Sequence, residues 1–304
     1  MLDRADLYDA GLVARLSRWG VPGPASPYPQ RGVHRSSRRG VSLEFSEHTE
    51  YAAGDDLRHL DWRVYAKTDR FYVKRYEDER LQRAVLVVDA SGSMAYGADA
   101  GEVRGTKYHT AARWAVAVAA CLLRQGDTVG LVLMGGQGAP PALSPRGGIA
   151  HLSALIEALA GTRPHGGAGL AGGCSALADR LGRSAAVFVF SDLLDPEDED
   201  LEPLRLLRAR GLAPRVIHLL HPDELDLPFE DPTRFRDLEG PAERVLDPLA
   251  VRRAYREEIR SFLDRVSRKA LAQGVPYAFV PTHGDPAPAL AGLVRTARRG
   301  GWTS

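Results

Sequence analysis

A short, continuously apolar run recurs along this chain and constrains its fold more than any other feature. Residues 84–88 (AVLVV) are apolar and mostly β-branched, and the run ends at Asp89 without polar alternation. A strand with one wet face would alternate, so such a run belongs in a sheet covered on both sides. VGLVLM (129–134), AVFVF (186–190), RVIHLL (215–220) and YAFV (277–280) repeat the pattern. Helical stretches separate them. Residues 107–124 are apolar almost all round and stop at Gly126, residues 149–160, 170–181 and 201–210 follow, and 249–273 read as a long amphipathic helix. Strands alternating with helices require crossovers, which predicts an α/β fold with a doubly wound, mostly parallel sheet. Between the fourth and fifth strands, RFRDLEGPAERVLDP (234–248) turns about Gly240-Pro241. It predicts a small β insertion, spanning 223–248, at the edge of the sheet.

The remaining composition narrows the function classes. Forty basic residues against thirty-nine acidic ones leave a net charge of +1, so no global field attracts a polyanion, and no nucleic-acid partner is expected. The first residues, Met-Leu-Asp-Arg-Ala-Asp, are charged and contain no apolar leader. The most apolar run, residues 114–123, falls short of the ~20 residues that cross a bilayer, so no membrane span is expected. Cys121 and Cys174 form no C-x-x-C, which fits a reducing cytoplasm. Residues 1–40 are rich in Gly, Pro, Ser and Arg and read as an extended arm carrying Arg31, Arg35, Arg38 and Arg39. The expected division is an N-terminal arm and accessory segment packed on the core (1–80) and the α/β domain (81–304).

In open α/β sheets ligands sit at the carboxyl ends of the strands. Asp89-Ala-Ser91-Gly-Ser93 falls there, directly after the first run, and Asp192 ends AVFVFS in the same way. Carboxylate and hydroxyl oxygens gathered at two strand ends suit Mg²⁺ or Mn²⁺. The plainer alternative has both acids capping helices and bonding hydroxyls, with no metal. Without a cation the two charges would repel, so Asp192→Asn is expected to stabilise the metal-free protein. Upstream, GDDLRHLDW (54–62) forms a turn and a helical start with Leu57, Leu60 and Val64 on one face. Its Asp55, Asp56, Arg58 and Asp61 either buttress the sheet or form part of a partner-binding surface.

DASGS, GDTVGLVLM and VFVFSD, in this order, resemble the von Willebrand factor A domain. EFSEHTEYAAGDDLRHLDWRVYAKTDRFYVKRYEDE (44–79) resembles the signature of the bacterial domain-of-unknown-function 58 family, whose members are similar to von Willebrand A domains and are often encoded beside MoxR-type AAA+ ATPases. The resemblance spans roughly residues 30–297. It implies a metal-ion-dependent adhesion site built from Asp89, Ser91, Ser93 and Asp192, with a partner's acidic residue completing the coordination of the ion. It further implies a partner surface on the loops carrying Met94, Gly167 and Ala168. One position departs: where the family pattern has a threonine oxygen, this chain has Ala168. The site is therefore degenerate, holding Mg or Mn weakly or not at all.

No G-x-x-x-x-G-K-[ST], G-x-S-x-G or H-E-x-x-H occurs, and the glycine-rich stretches 135–138 and 166–173 lack the setting of a nucleotide cradle. The expected function is a non-enzymatic interaction or adaptor module that works with a MoxR-type ATPase. The alternative is an Mg-dependent phosphohydrolase using Asp89 and Asp192.

Overall fold

A computed structural model describes residues 2–18, 43–50, 62, 64–65, 70–78, 83–97, 104–135, 142–167, 170, 173–174, 177, 185–194 and 201–299, with backbone alone at 43–50, 73–78 and 296–299. In chain order the elements begin with α1 (Arg4–Leu7), α2 (Ala10–Arg18), β1 (Leu43–Glu50), β2 (Tyr72–Asp78) and β3 (Arg83–Asp89). Next come α3 (Lys107–Arg124), β4 (Thr128–Met134), β5 (Ala142–Arg146), α4 (Ile149–Gly161) and β6 (Ala186–Ser191). Then follow α5 (Glu202–Ala209), β7 (Ala213–His218), α6 (Pro222–Asp226), β8 (Thr233–Arg236) and β9 (Glu243–Leu246). The chain ends with α7 (Pro248–Ala272), β10 (Tyr277–Phe279) and α8 (Ala287–Arg299).

Two compact units emerge: residues 1–25 with 82–304, and residues 26–81. In the smaller one β1 and β2 pair antiparallel, with a register break between Phe45 and Glu47. The larger one holds a six-stranded sheet in the order β10-β7-β6-β3-β4-β5, parallel except for the edge strand β5. The expected doubly wound α/β architecture is what forms. Alternate residues of each inner strand enter opposite cores. Leu86, Val88, Leu131, Leu133, Phe188 and Phe190 join one cluster, with α3, α4 and α8, whereas Val85, Val87, Val132, Val187 and Val189 join the other, with α5 and α7. This two-sided burial is why the strands lack polar alternation.

α3 is the central helix and is buried nearly throughout. Its N-terminus is capped by Thr106, whose hydroxyl accepts from the His109 N–H at 3.1 Å. β3 pairs with β4 on one side and β6 on the other. The chain thus runs out from β3 in one direction and later returns on its opposite flank, creating a topological switch point at the carboxyl ends of β3 and β6.

Three expectations change. Residues 1–18 are not part of an extended arm, because Leu7, Leu12, Val13 and Leu16 are buried in the core against α3. β5 escaped the sequence pattern because it is a half-exposed edge carrying Pro145, a residue tolerated only where a strand's N–H faces outward. The β insertion forms as β8 and β9, but as a separate two-stranded sheet. Of the helix expected at 170–181, the described residues 170, 173, 174 and 177 are helical. Arg31, Arg35, Arg38 and Arg39 lie outside the described residues. No helix among the described residues is long and apolar enough to cross a membrane.

Candidate functional site

Asp89 is the last residue of β3, and the chain turns sharply after it. The turn is held by backbone bonds from Gly92 N–H to Gly166 O (2.7 Å) and from His165 N–H to Ala90 O (2.9 Å). Gly135, at φ 132°, lets the end of β4 pass close by, since a Cβ there would lie 2.4 Å from Ala90 O. These contacts bring four predicted residues together at the switch point. Asp89 Oδ1 accepts from Ser91 N–H (2.9 Å) and Oδ2 accepts from the Ser191 hydroxyl (2.6 Å). The Ser91 and Ser93 hydroxyls lie 3.0 Å apart. Asp192 follows β6, its Oδ1 accepting from Leu194 N–H at 3.3 Å. Ser93 is partly exposed, whereas Asp89, Ser91 and Asp192 are buried.

The cation in this site belongs to the chain. Lys107, first residue of α3, is fully buried and donates from Nζ to Asp192 Oδ2 at 2.7 Å and to Glu224 Oε1 of α6. Glu224 in turn accepts from His221 N–H at 2.8 Å, closing a capping box on α6. The two aspartates consequently titrate apart. Burial, reinforced by the Asp192 charge, pushes the Asp89 carboxyl up to about 7. Burial would raise Asp192 too, but the Lys107 charge and hydrogen bond hold it below the usual carboxylate range. Burial likewise opposes the charge on Lys107, yet Asp192 and Glu224 raise its pKa overall.

Every carboxylate oxygen of the aspartate pair is thus engaged by a donor from the protein. Among the described residues, no group of three or more His, Cys, Asp or Glu side chains is placed to hold one metal ion. Lys107 supplies positive charge beside Asp192, and a divalent cation at the motif would meet that like charge.

The tip of the β8–β9 hairpin lies over this loop, not at the edge of the sheet. Glu239 Oε1 accepts from Ser93 N–H at 3.2 Å, and a Cβ on Gly92 would stand 2.2 Å from Leu238 O. Between the hairpin, Ser93, Tyr96, α6 and Tyr255 of α7 lies a cavity of about 530 Å³. Tyr96 closes one wall by donating its hydroxyl to Asp223 Oδ2 at 3.0 Å.

The partner-surface residues divide. Gly167 is exposed beside Glu239, with a Cβ there standing 3.7 Å from Oε2. Met94 is corrected: it is fully buried and belongs to the core, so no partner can touch it. Ala168, Asp55, Asp56, Arg58 and Asp61 lie outside the described residues. Lys107, Glu224 and Glu239 were missed. For Lys107 a signal existed, a lysine opening a helix with almost no polar face. Glu224 and Glu239 have none, since they reach the site only through the fold.

A family model described as "Protein of unknown function DUF58" matches residues 47–264, well over half of the chain. The uncharacterized protein Rv1480 of Mycobacterium tuberculosis is 28% identical over 279 residues, covering 88% of this chain and 84% of that protein. Among solved structures, the conserved hypothetical protein BatB from Bacteroides thetaiotaomicron is similar over 72% of this chain and 100% of its own, at 16% identity and a TM-score of 0.46. The SpRpn10 VWA domain is similar over 74% of this chain and 100% of its own, at 13% identity and a TM-score of 0.39.

Proposed function

This chain belongs to the DUF58 family of proteins of unknown function, and from that premise we propose that it is a non-enzymatic interaction module. Its binding face is the carboxyl edge of the sheet around Ser93 and Gly167, and its partner is a MoxR-type AAA+ ATPase that presents an acidic side chain. The face works as a degenerate adhesion site without a resident metal, in the cytoplasm, where Cys121 and Cys174 remain free thiols.

One observation carries this reading: the site is converged and buried, yet its carboxylates are already engaged. Asp89 and Asp192 hold protein donors on all four oxygens, which fixes both carboxylates in place as acceptors of the loop and of Lys107. What the site offers outward is Ser93, with its backbone N–H and a partly exposed side chain. A backbone N–H suits a carboxylate, which accepts a charge-assisted hydrogen bond from it, as the Glu239 carboxylate does here.

The test is capture of the MoxR-type ATPase encoded in the same genome by immobilised full-length chain. Ser93→Pro, which removes the N–H at the first position of the turn, should weaken capture at least several-fold. EDTA should leave it unchanged, and so should Arg83→Ala at the opposite, amino end of β3. Loss of capture with EDTA would restore a metal to the interface. Indifference to Ser93→Pro would move the interface away from this face.

A further inference from the structure

The hairpin over the site is loosely built. Among the described residues β8 and β9 pair only with each other, and β9 is exposed along its whole length. A lone two-stranded hairpin is marginal in water. Its base is fixed: Arg252 of α7 donates from Nε to Leu227 O (3.0 Å) and from Nη2 to Phe229 O (2.8 Å), while the Phe229 and Phe235 rings meet edge to face at 5.6 Å. Between base and tip the hairpin arches over the cavity of about 530 Å³ instead of settling on a packed core.

The tip is preshaped, since Asp237 Oδ1 accepts from Glu239 N–H at 2.8 Å and Asp237 N–H donates to Ala242 O at 2.8 Å. It closes through the Glu239 carboxylate on Ser93 N–H and through Leu238 O pressed against Gly92. A side chain at position 92 would prevent that approach. An exposed glutamate therefore stands on the amide that the face presents outward, its carboxylate held among the described residues by one hydrogen bond, on an element with a firm base.

We propose that Glu239 is a built-in competitor for the partner's acidic residue, so that the β8–β9 hairpin keeps the face shut until a partner carboxylate displaces it. The proposal rests on the reading of this face as a carboxylate-binding surface. Apparent partner affinity is then the intrinsic affinity scaled by the fraction of molecules with the hairpin open. Removing the Glu239 carboxylate raises that fraction without touching the face itself.

The probe is the hairpin's own tip supplied in trans: an acetylated, amidated peptide of residues 236–241 (RDLEGP). Its binding at millimolar concentration is read from the Ser93 amide signal by NMR on the full-length chain. The peptide should shift that signal in Glu239→Ala and not in wild type, and the same peptide carrying Glu239→Gln should be silent on both. A shift of equal size in both proteins, or in neither, overturns the proposal. Should Glu239→Ala fail to fold, Glu239→Gln in the full chain is read the same way. With the ATPase as ligand, Glu239→Ala should bind about tenfold tighter than wild type, and equal or weaker binding also overturns the proposal. Absence of ATPase binding to either chain, with the peptide behaving as expected, sinks the partner assignment and leaves the competitor standing.

Discussion

Replacing Lys107 by methionine tests the central claim about the site, that its cation is a side chain. The Lys107 side chain is 0% exposed, and it faces the side chains of Asp192 (3% exposed) and Glu224 (17% exposed). Methionine keeps the length and apolar stem of lysine but leaves two carboxylates, one of them almost fully buried, without their ammonium. Breaking one partner out of a buried ion pair costs about 3–5 kcal/mol, chiefly from the charge left uncompensated. That is a large part of the ~5–15 kcal/mol that holds a typical protein folded. Guanidinium unfolding at neutral pH, followed by tryptophan emission, would measure it, with Trp114 on α3 reporting from the core. Combining Lys107→Met with Asp192→Asn and Glu224→Gln removes the stranded charges together and should recover at least half of the loss. By the same reasoning Asp192→Asn alone should destabilise, reversing the expectation drawn from repulsion between two aspartates, because Lys107 loses one of its two counter-charges. A loss below about 1 kcal/mol for Lys107→Met would refute the argument, since an ammonium that mattered so little could not be standing in for a metal.

Titration calorimetry of the wild-type chain with Mg²⁺ or Mn²⁺ should show no saturable heat at one site, and EDTA should leave the unfolding midpoint unchanged; a one-to-one isotherm lost on Asp89→Ala would contradict the donor assignment. Burial pushes His218 down to about 4, from an ordinary value near 6.5. The folded state therefore resists a proton that the unfolded chain accepts, so stability is full above about 6.5 and is lost as pH falls toward 4, by up to about 3 kcal/mol. His218→Phe should flatten the acid limb of the stability profile within that window, and a limb of unchanged slope would remove His218 as its cause.

The sheet could be read from single residues because burial on both faces leaves a local mark. Val85 and Leu86 enter different cores, so neither position in the strand tolerates a polar residue, and the run itself announces the architecture. Where burial is partial the mark fades. β5 combines Pro145 with half-exposed residues, and nothing local separates it from a loop. The first helices were hidden differently: Leu12, Val13 and Leu16 do share a helical face, but the glycine- and proline-rich sequence after them suggested one long arm.

The site divides along the same line. Asp89, Ser91, Ser93 and Asp192 could be placed in advance because each lies within a few residues of a strand end, and strand ends on one sheet must converge. Met94 shows the limit of that argument, for it lies among these residues yet points into the core. Lys107, Glu224 and Glu239 come from three further elements and meet the loop only through packing. Those three residues change what the motif does. Two aspartates at adjacent strand ends call for positive charge, but that demand does not say whether an ion or an ammonium will meet it. Here α3 begins beside the crevice, and its first side chain is long enough to reach Asp192 while its stem stays in the core. Once that lysine is in place, an added divalent ion would meet like charge and carboxylates already bonded. On the proposed reading the motif then positions the Ser93 amide, which the Glu239 carboxylate reaches at 3.2 Å.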